Sequence, residues 1–436
     1  MPLRCRSRMS LALVAVVVST VVAALAGAAS AHVDAPVTLT DVAAERGLAF
    51  RQGAFRFGVR ADPVATMGTG LCWLDADGDG WLDLYVLNSY AERDVGRFER
   101  AGGLPRSTLF RNVRGRFRDV GTQAGVSRAI RGTGCAAADL DADGRTDLVV
   151  ATAAGALLYW NEGGRFREGA AAAGVVADGW RSSVAIGDVD GDRRLDLYLG
   201  GYTDVNAPIS GSDAGFPTSY LGVRDMLFLN RGRAPRGHAR FREVGRQAGL
   251  DAGVADHSLG AVLADTDRDG RLDLLVANDE DPNRLYQNVP WPGGRRTDPA
   301  RLGFRLEERG GPAGAADPNA GMGIAVQDFT GDGLPDFFVS DSRGQPHAAG
   351  RGLGPGPNGA AFADARPGIL PALGSAFTGW GATLQDLDLD GDLDLVLANG
   401  AVPVRDLRRD AQPLQVLMGG SGGEAGVFEN ASDASG

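Results

Sequence analysis

Lysine is absent from this 436-residue chain, and histidine and cysteine are scarce, with four and three copies. The histidines, His32, His238, His257 and His347, are scattered and lack metal-ligand spacing. That excludes a zinc centre of the H-E-x-x-H kind, and no P-loop offers another catalytic apparatus. A formal charge of -11 leaves no basic face for nucleic acid. Only one long apolar run exists, at the N-terminus, so nothing downstream is built to cross a membrane. Helical periodicity is also missing. The exclusive use of arginine, alongside abundant alanine and glycine, is a composition bias without functional content.

The N-terminal run has the layout of a secretory signal. Arg4, Arg6 and Arg8 precede an apolar stretch from Leu11 to Ala26 and the A-x-A site Ala29-Ser30-Ala31. Residues 1–31 are thus expected to be removed, leaving His32 first and the protein secreted, periplasmic or in the cell envelope; a membrane anchor is the alternative reading. Cys5 lies before the apolar stretch, unlike a lipoprotein cysteine. Cys72 and Cys135 would remain, in an oxidising compartment. They stand three and four residues before the first aspartate of their acidic loops, so on strands they face opposite ways, and in neighbouring units toward one another. A Cys72 to Cys135 disulfide and two buried thiols both stay open, with geometry to decide.

What the chain has in abundance is a nine-residue acidic phrase, D-x-D-x-D-G-x-x-D, present in six close copies. Its carboxylates are Asp75, Asp77, Asp79 and Asp83; Asp139, Asp141, Asp143 and Asp147; Asp188, Asp190, Asp192 and Asp196; Asp265, Asp267, Asp269 and Asp273; Asp328, Asp332 and Asp336; and Asp386, Asp388, Asp390 and Asp394. Oxygens at positions 1, 3 and 5, with glycine at 6 for the sharp bend, suit a hard cation such as calcium. The backbone carbonyl of position 7 (Trp81, Arg145, Arg194, Arg271, Leu334 and Asp392) and the position-9 aspartate would complete the shell. Acidic turns are common without a metal. Yet two carboxylates about 4 Å apart repel by about 4 kcal/mol at an effective dielectric near 20, so four converging on one point demand a cation or a proton.

Up to six calcium ions are expected. Losing the signal would take the formal charge from -11 to -14, and six dications would return it to -2. Two loops should bind less well: the third has Arg193 where glycine belongs, and the fifth has Thr330 at position 3. An EF-hand is excluded, because its loop ends on a glutamate at position 12. Here that position is Val86, Val150, Leu199, Val276, Val339 or Leu397.

The first aspartates are 64, 49, 77, 63 and 58 residues apart, which suits a four-stranded unit with variable loops. A glycine-rich strand comes first, as in Met67-Gly-Thr-Gly70, Gly132-Thr-Gly134, Gly321-Met-Gly323 and Gly379-Trp-Gly381. After the acidic loop comes an apolar strand beginning at Leu84, Leu148, Leu197, Leu274, Phe337 or Leu395. A third ends on asparagine in Leu109-Phe-Arg-Asn112, Leu157 to Asn161, Leu227 to Asn230 and Leu285 to Asn288. The fourth carries Phe117, Phe166, Phe241, Phe304, Phe362 or Phe428, often with Ala-Gly downstream. The fold class is all-β: a β-propeller of four-stranded blades with small residues on the crowded innermost strands. Six motif-bearing blades can be counted. Seven stay open, because Val37-Thr-Leu-Thr-Asp-Val42 reads like an extra fourth strand that would close the ring or begin a further blade.

These phrases resemble the FG-GAP or VCBS-type repeats of integrin α-subunit propellers and of many secreted bacterial proteins. Their order is most similar to cartilage acidic protein-like chains, over about residues 37 to 430. Such relatives often add a C-terminal ASPIC/UnbV domain, for which residues 431–436 leave no room. The expected organisation is a signal over 1–31, an N-terminal segment over 32–65, a propeller over 66–430 and a short tail.

In such a blade the acidic loops all lie on one face. The longest insertions, Asn88 to Thr108, Tyr202 to Arg224, Asp341 to Ala361 and Gly400 to Pro413, gather on the other. Long loops in a compact domain often recognise partners, although the Gly/Pro-rich Gly350 to Gly359 also reads as flexible decoration. Tyr90, Tyr202 and Tyr220 are the aromatic contacts expected there, and His257 is either near the axis or simply a satisfied structural histidine. The function expected is a calcium-stabilised binding, adhesion or protein-interaction scaffold for a protein or glycan ligand. The alternative is a metal-assisted polysaccharide lyase or hydrolase.

Overall fold

The computed structural model describes residues 37–59, 62–234, 237–250, 253–356, 359–420 and 425–432. Within them the chain forms six four-stranded antiparallel sheets, each from one sequence repeat. Blade 2 is representative, with an inner strand Gly132–Ala138, then Asp147–Thr152, Gly155–Asn161 and an outer strand Phe166–Glu168. The other inner strands are Leu71–Leu74, Arg181–Gly187, Ser258–Ala264, Ile324–Gln327 and Gly379–Gln385. No helix among the described residues is long and apolar enough to cross a membrane. The expected signal over 1–31 lies outside the described residues.

The second strands of the middle blades are buried on both sides, as in Asp147–Thr152, because blades 2 to 5 pack both faces against neighbours. One cluster joins Leu140, Val149 and Trp160 of blade 2 to Leu197, Phe228 and Phe241 of blade 3. On the inner face, a disulfide joins Cys72 of blade 1 to Cys135 of blade 2, with Cα atoms 6.0 Å apart.

Blades are also wedged together at their rims. A one-turn helix follows the outer strand, as at Gly121–Ala124, and ends on a left-handed glycine. A Cβ on Gly125, Gly174, Gly249 or Gly314 would stand 2.7, 2.6, 2.4 or 2.8 Å from a carbonyl oxygen of the next blade's outer strand. Only glycine fits both the left-handed turn and the close approach, which explains the downstream Ala-Gly phrase.

The same wedge corrects the seven-blade option. Residues Val37 to Val42 form no strand, and the outer edge of blade 6 is paired instead by Glu429 and Asn430 against Met418 and Leu417. What the N-terminal segment contributes in place of a strand is a wedge, and further along it packs Val64 against Trp180 and Tyr202. Helix Ala43–Arg46 ends at Gly47, whose φ is 91°, and a Cβ there would lie 2.5 Å from Phe117 O of blade 1.

A second correction concerns Asp341 to Ala361. Ala348–Gly356 and Gly359–Asp364 form the third and fourth strands of blade 5, so Gly350 to Gly359 is mostly sheet. The glycines are there for packing: a Cβ on Gly350 would meet the Phe337 ring at 2.3 Å, and one on Gly352 would meet Pro335 O at 2.5 Å.

Candidate metal loops and the opposite face

All six acidic loops connect an inner strand to a second strand and therefore share one face. Their backbone is fixed by the carboxylates themselves. The position-1 aspartate accepts N–H groups from positions 5 and 6, as Asp139 does from Asp143 at 3.0 Å and Gly144 at 2.8 Å. Position 5 accepts the N–H of position 7, as Asp79 does from Trp81 at 2.9 Å and Asp332 from Leu334 at 2.9 Å. Position 6 takes a left-handed turn, with φ of 85° at Gly80 and Gly144. Arg193 adopts the same turn at 69°, a strained conformation for a side chain with a Cβ.

Position 9 has a second task that spacing did not reveal. Asp147 Oδ2 accepts from Leu140 N at 3.0 Å and Oδ1 from Asn161 N on the third strand at 2.8 Å. Asp83, Asp196, Asp273 and Asp394 repeat the pattern, and Asp336 does so with Thr330 N and Gly352 N. Burial pushes these carboxyls up, Asp147 and Asp196 to about 7 and Asp273 to about 6, with Asp83, Asp336 and Asp394 moved the same way. Position 9 is thus as much a staple between loop and sheet as a candidate ligand.

Position 3 is different. Asp77 Oδ1, Asp141 Oδ1 and Asp190 Oδ1 are buried without a hydrogen-bond partner, as is Thr330 Oγ1 in the fifth loop. Burying a carboxylate oxygen unpaired is costly. Positions 1, 3 and 9 lie within 4.8 Å of one another in loops 1, 2, 3 and 6, and positions 1, 3 and 5 do so in loop 4 (Asp265, Asp267, Asp269). Loop 5, with Thr330, forms no such group among the described residues.

Arginine was the signal missed. In loops 2, 3 and 4 the position-7 side chains Arg145, Arg194 and Arg271 pair with Asp143, Asp192 and Asp269, while their Nε atoms donate to the carbonyls of Asn161, Asn230 and Asn288. Arg111 pairs with Asp77, and Arg295 reaches Asp190 at 2.8 Å. His238, from blade 3, lies 2.6 Å from Asp141 and stacks on Trp160 at 4.6 Å. The third-strand asparagines also tie blades together: Asn161, Asn230 and Asn288 donate to the position-2 carbonyls of the preceding blade, Ala76, Leu140 and Val189.

The opposite face carries the insertions. Residues 88–108 hold helix Val95–Arg100, residues 202–224 hold the hairpin Thr203–Pro208 with Tyr220–Gly222, and residues 401–414 connect without a strand. Tyr202 is not a surface contact: it is fully buried, with its hydroxyl donating to Asp279 at 2.5 Å. Tyr90 and Tyr220 are half-buried, against Phe98 and Phe216. His257 is a satisfied buried histidine, with Nδ1 2.7 Å from Asp281 and Nε2 3.2 Å from Tyr220 O.

With this geometry in view, comparison with known families gives a match to the FG-GAP-like repeat over residues 75–150, 139–199 and 265–339. The chain is a six-bladed β-propeller that carries FG-GAP-like repeats. This FG-GAP propeller is similar to cartilage acidic protein 1 of Xenopus tropicalis, at 26% identity over 81% of the chain and 50% of that protein. The human protein is 28% identical over 45% of the chain and 27% of its own length. The chain thus spans about a quarter to a half of the curated relatives it matches. Among solved structures, an Agrocybe aegerita lectin recognising terminal N-acetylglucosamine is 16% identical with a TM-score of 0.44, covering 83% of this chain and 80% of its own. At that score the likeness carries no argument about function.

Proposed function

We propose that this FG-GAP propeller is a secreted interaction scaffold whose acidic loops hold calcium and whose opposite face recognises a protein or glycan. The observation that carries the metal reading is the set of buried, unpartnered oxygens of Asp77, Asp141 and Asp190, one at the same position of three loops. The acidic groups of loops 1 to 4 and 6 fit a hard oxygen-seeking cation: carboxylates only, no sulfur, and histidine at one loop alone. Asp75, Asp77 and Asp79, with their counterparts, would hold the ion, which would supply charge neutralisation and no chemistry of its own. Position 9 would add an oxygen while keeping its two backbone bonds.

The chain's own residues do the rest. Position-1 and position-5 carboxylates preset the loop, position 9 fixes it to the third strand, and asparagines carry it to the next blade. Cation binding is therefore coupled to ring stability. At a tenfold excess over a dissociation constant of ~0.1 to 1 mM, each site would add about 1.4 kcal/mol. An extracytoplasmic setting is supported by the Cys72–Cys135 bond and by the signal-like residues 1–31. Screening the purified propeller on glycan arrays and by capture from native medium, with and without calcium, tests the recognition reading. Saturable calcium-dependent binding without turnover is expected; polysaccharide degradation would replace this reading with the enzymatic one.

A further inference from the structure

The six inner strands begin around the propeller axis, and one equivalent residue from each faces a shared cavity of about 450 Å³ on the side away from the acidic loops. Blades 1, 2 and 3 contribute Thr69, Thr133 and Ser182, and blades 4, 5 and 6 contribute Leu259, Met322 and Trp380. The collar is thus split into a hydroxyl arc and an apolar arc. No charged side chain lines it, although 23% of the chain is charged.

The hydroxyls have already committed their protons. Thr133 Oγ1 donates to Arg181 O at 2.5 Å and Ser182 Oγ to Ser258 O at 2.6 Å. What they can offer the cavity is oxygen lone pairs, so a molecule bound there must bring the donors.

The cavity exists because the packing at one seam is different. A Cβ on the inner-strand glycines Gly70, Gly134, Gly260 and Gly323 would lie 3.1, 2.5, 2.4 and 2.3 Å from a backbone oxygen of the following blade. Those glycines let successive blades close on the axis. Gly381, in the same position of blade 6, faces nothing within 4 Å and is exposed where it lines the cavity. The seam between blade 6 and blade 1 is therefore left open.

We propose that this axial cavity is a binding site for a small uncharged molecule with one apolar, ring-like face and one edge of O–H or N–H donors. The apolar face lies along Leu259, Met322 and Trp380, and the donors reach Thr133 and Ser182. The volume falls within the ~300 to 1,000 Å³ of small-molecule sites, and an ion is rejected because no lining group offsets its desolvation. The site goes beyond the cation-stabilised scaffold and does not depend on it.

The probe is N-phenyl-1-naphthylamine, an uncharged aromatic secondary amine whose fluorescence rises in apolar surroundings, titrated into the calcium-saturated protein. One saturable site per chain is expected, with anionic anilinonaphthalene sulfonate binding at least about tenfold more weakly, a difference of ~1.4 kcal/mol. Gly381→Phe fills the cavity from open space and should abolish binding without lowering the melting temperature. If that variant fails to fold, Leu259→Trp fills it from the facing arc. Thr133→Val should weaken binding about threefold to tenfold through loss of the acceptor. Absence of saturable binding, equal binding of the anionic dye, or binding unchanged by a folded filling variant overturns the proposal. Each of these leaves the calcium reading intact, since that rests on melting and ion content.

Discussion

The side-chain amide of Asn161, in blade 2, donates 2.8 Å to the carbonyl of Ala76 in the acidic loop of blade 1, and 3.0 Å to Thr146 O in its own loop. One side chain therefore spans two candidate metal loops, and Asn230 and Asn288 repeat the bridge at the next two interfaces. Asn112, the same residue in blade 1, reaches only its own loop, at Leu82 O.

Replacing a bridging asparagine strands one buried and one part-buried carbonyl. Asn161→Ala should cost about 2 to 4 kcal/mol, and Asn112→Ala roughly half of that. Urea unfolding in calcium measures the difference; equal losses would contradict a special role for the cross-blade bond.

The loops should differ in their need for a cation. Ion pairs with arginine reach Asp77, Asp143, Asp190, Asp192 and Asp269, whereas none is seen at Asp386, Asp388 or Asp394 among the described residues. Asp388→Asn should therefore remove a bound calcium and lower the calcium-dependent gain in melting temperature. Asp190→Asn should lower that gain too, but by less, because Arg295 and Arg194 already offset part of that loop's charge. Calorimetric titration of both variants checks the order.

Without metal, the buried position-9 carboxyls make stability fall as pH rises. Asp147 and Asp196 sit near 7 and Asp273 near 6 when folded, above the ordinary 3.8, because burial disfavours their charge. Their protonated forms are fully tolerated below about pH 4, and the penalty grows as pH climbs through the folded values, to at most about 4 kcal/mol for Asp147. His347, pushed down to about 4 by burial, acts in the other direction, losing stability as pH falls below the ordinary 6.5. Melting in EGTA should therefore decline between pH 5 and about 7.5. With calcium the decline should flatten or reverse, since the ion binds the deprotonated form.

The Cys72–Cys135 bond closes a loop with a sequence separation of 63 between the first two blades. Serine at either position should cost about 4 kcal/mol on the chain-entropy account. Reducing agent should reproduce that loss in the unmodified protein and leave the serine variant unchanged, as followed by thermal melting.

The blade pattern was legible because strand alternation, turn glycines and the acidic phrase recur in one order, and period survives even where single residues drift. Blade 5 misled for a physical reason. Glycines at Gly350 and Gly352 look like a loop in sequence, yet they clear space for Phe337 and Pro335. Val37 to Val42 carried the fourth-strand wording without a free sheet edge to join, so only its downstream wedge at Gly47 took shape. In the loops, spacing pointed to the carboxylates but not to who shares them. Position 4 is left-handed as well, at Ala142, Arg268 and Leu389, and glycine there in the other three loops was the available hint. Arginines and His238 reach the loops from the sheets and neighbouring blades, contacts that separation along the chain conceals.

Calcium content and melting temperature of the purified protein, measured together across a calcium series to millimolar and again in EGTA, test the central claim most directly. Several ions per chain, with a melting temperature that rises with calcium and collapses on chelation, is the predicted result. Less than one ion per chain, with the same melting temperature in EGTA, would contradict it.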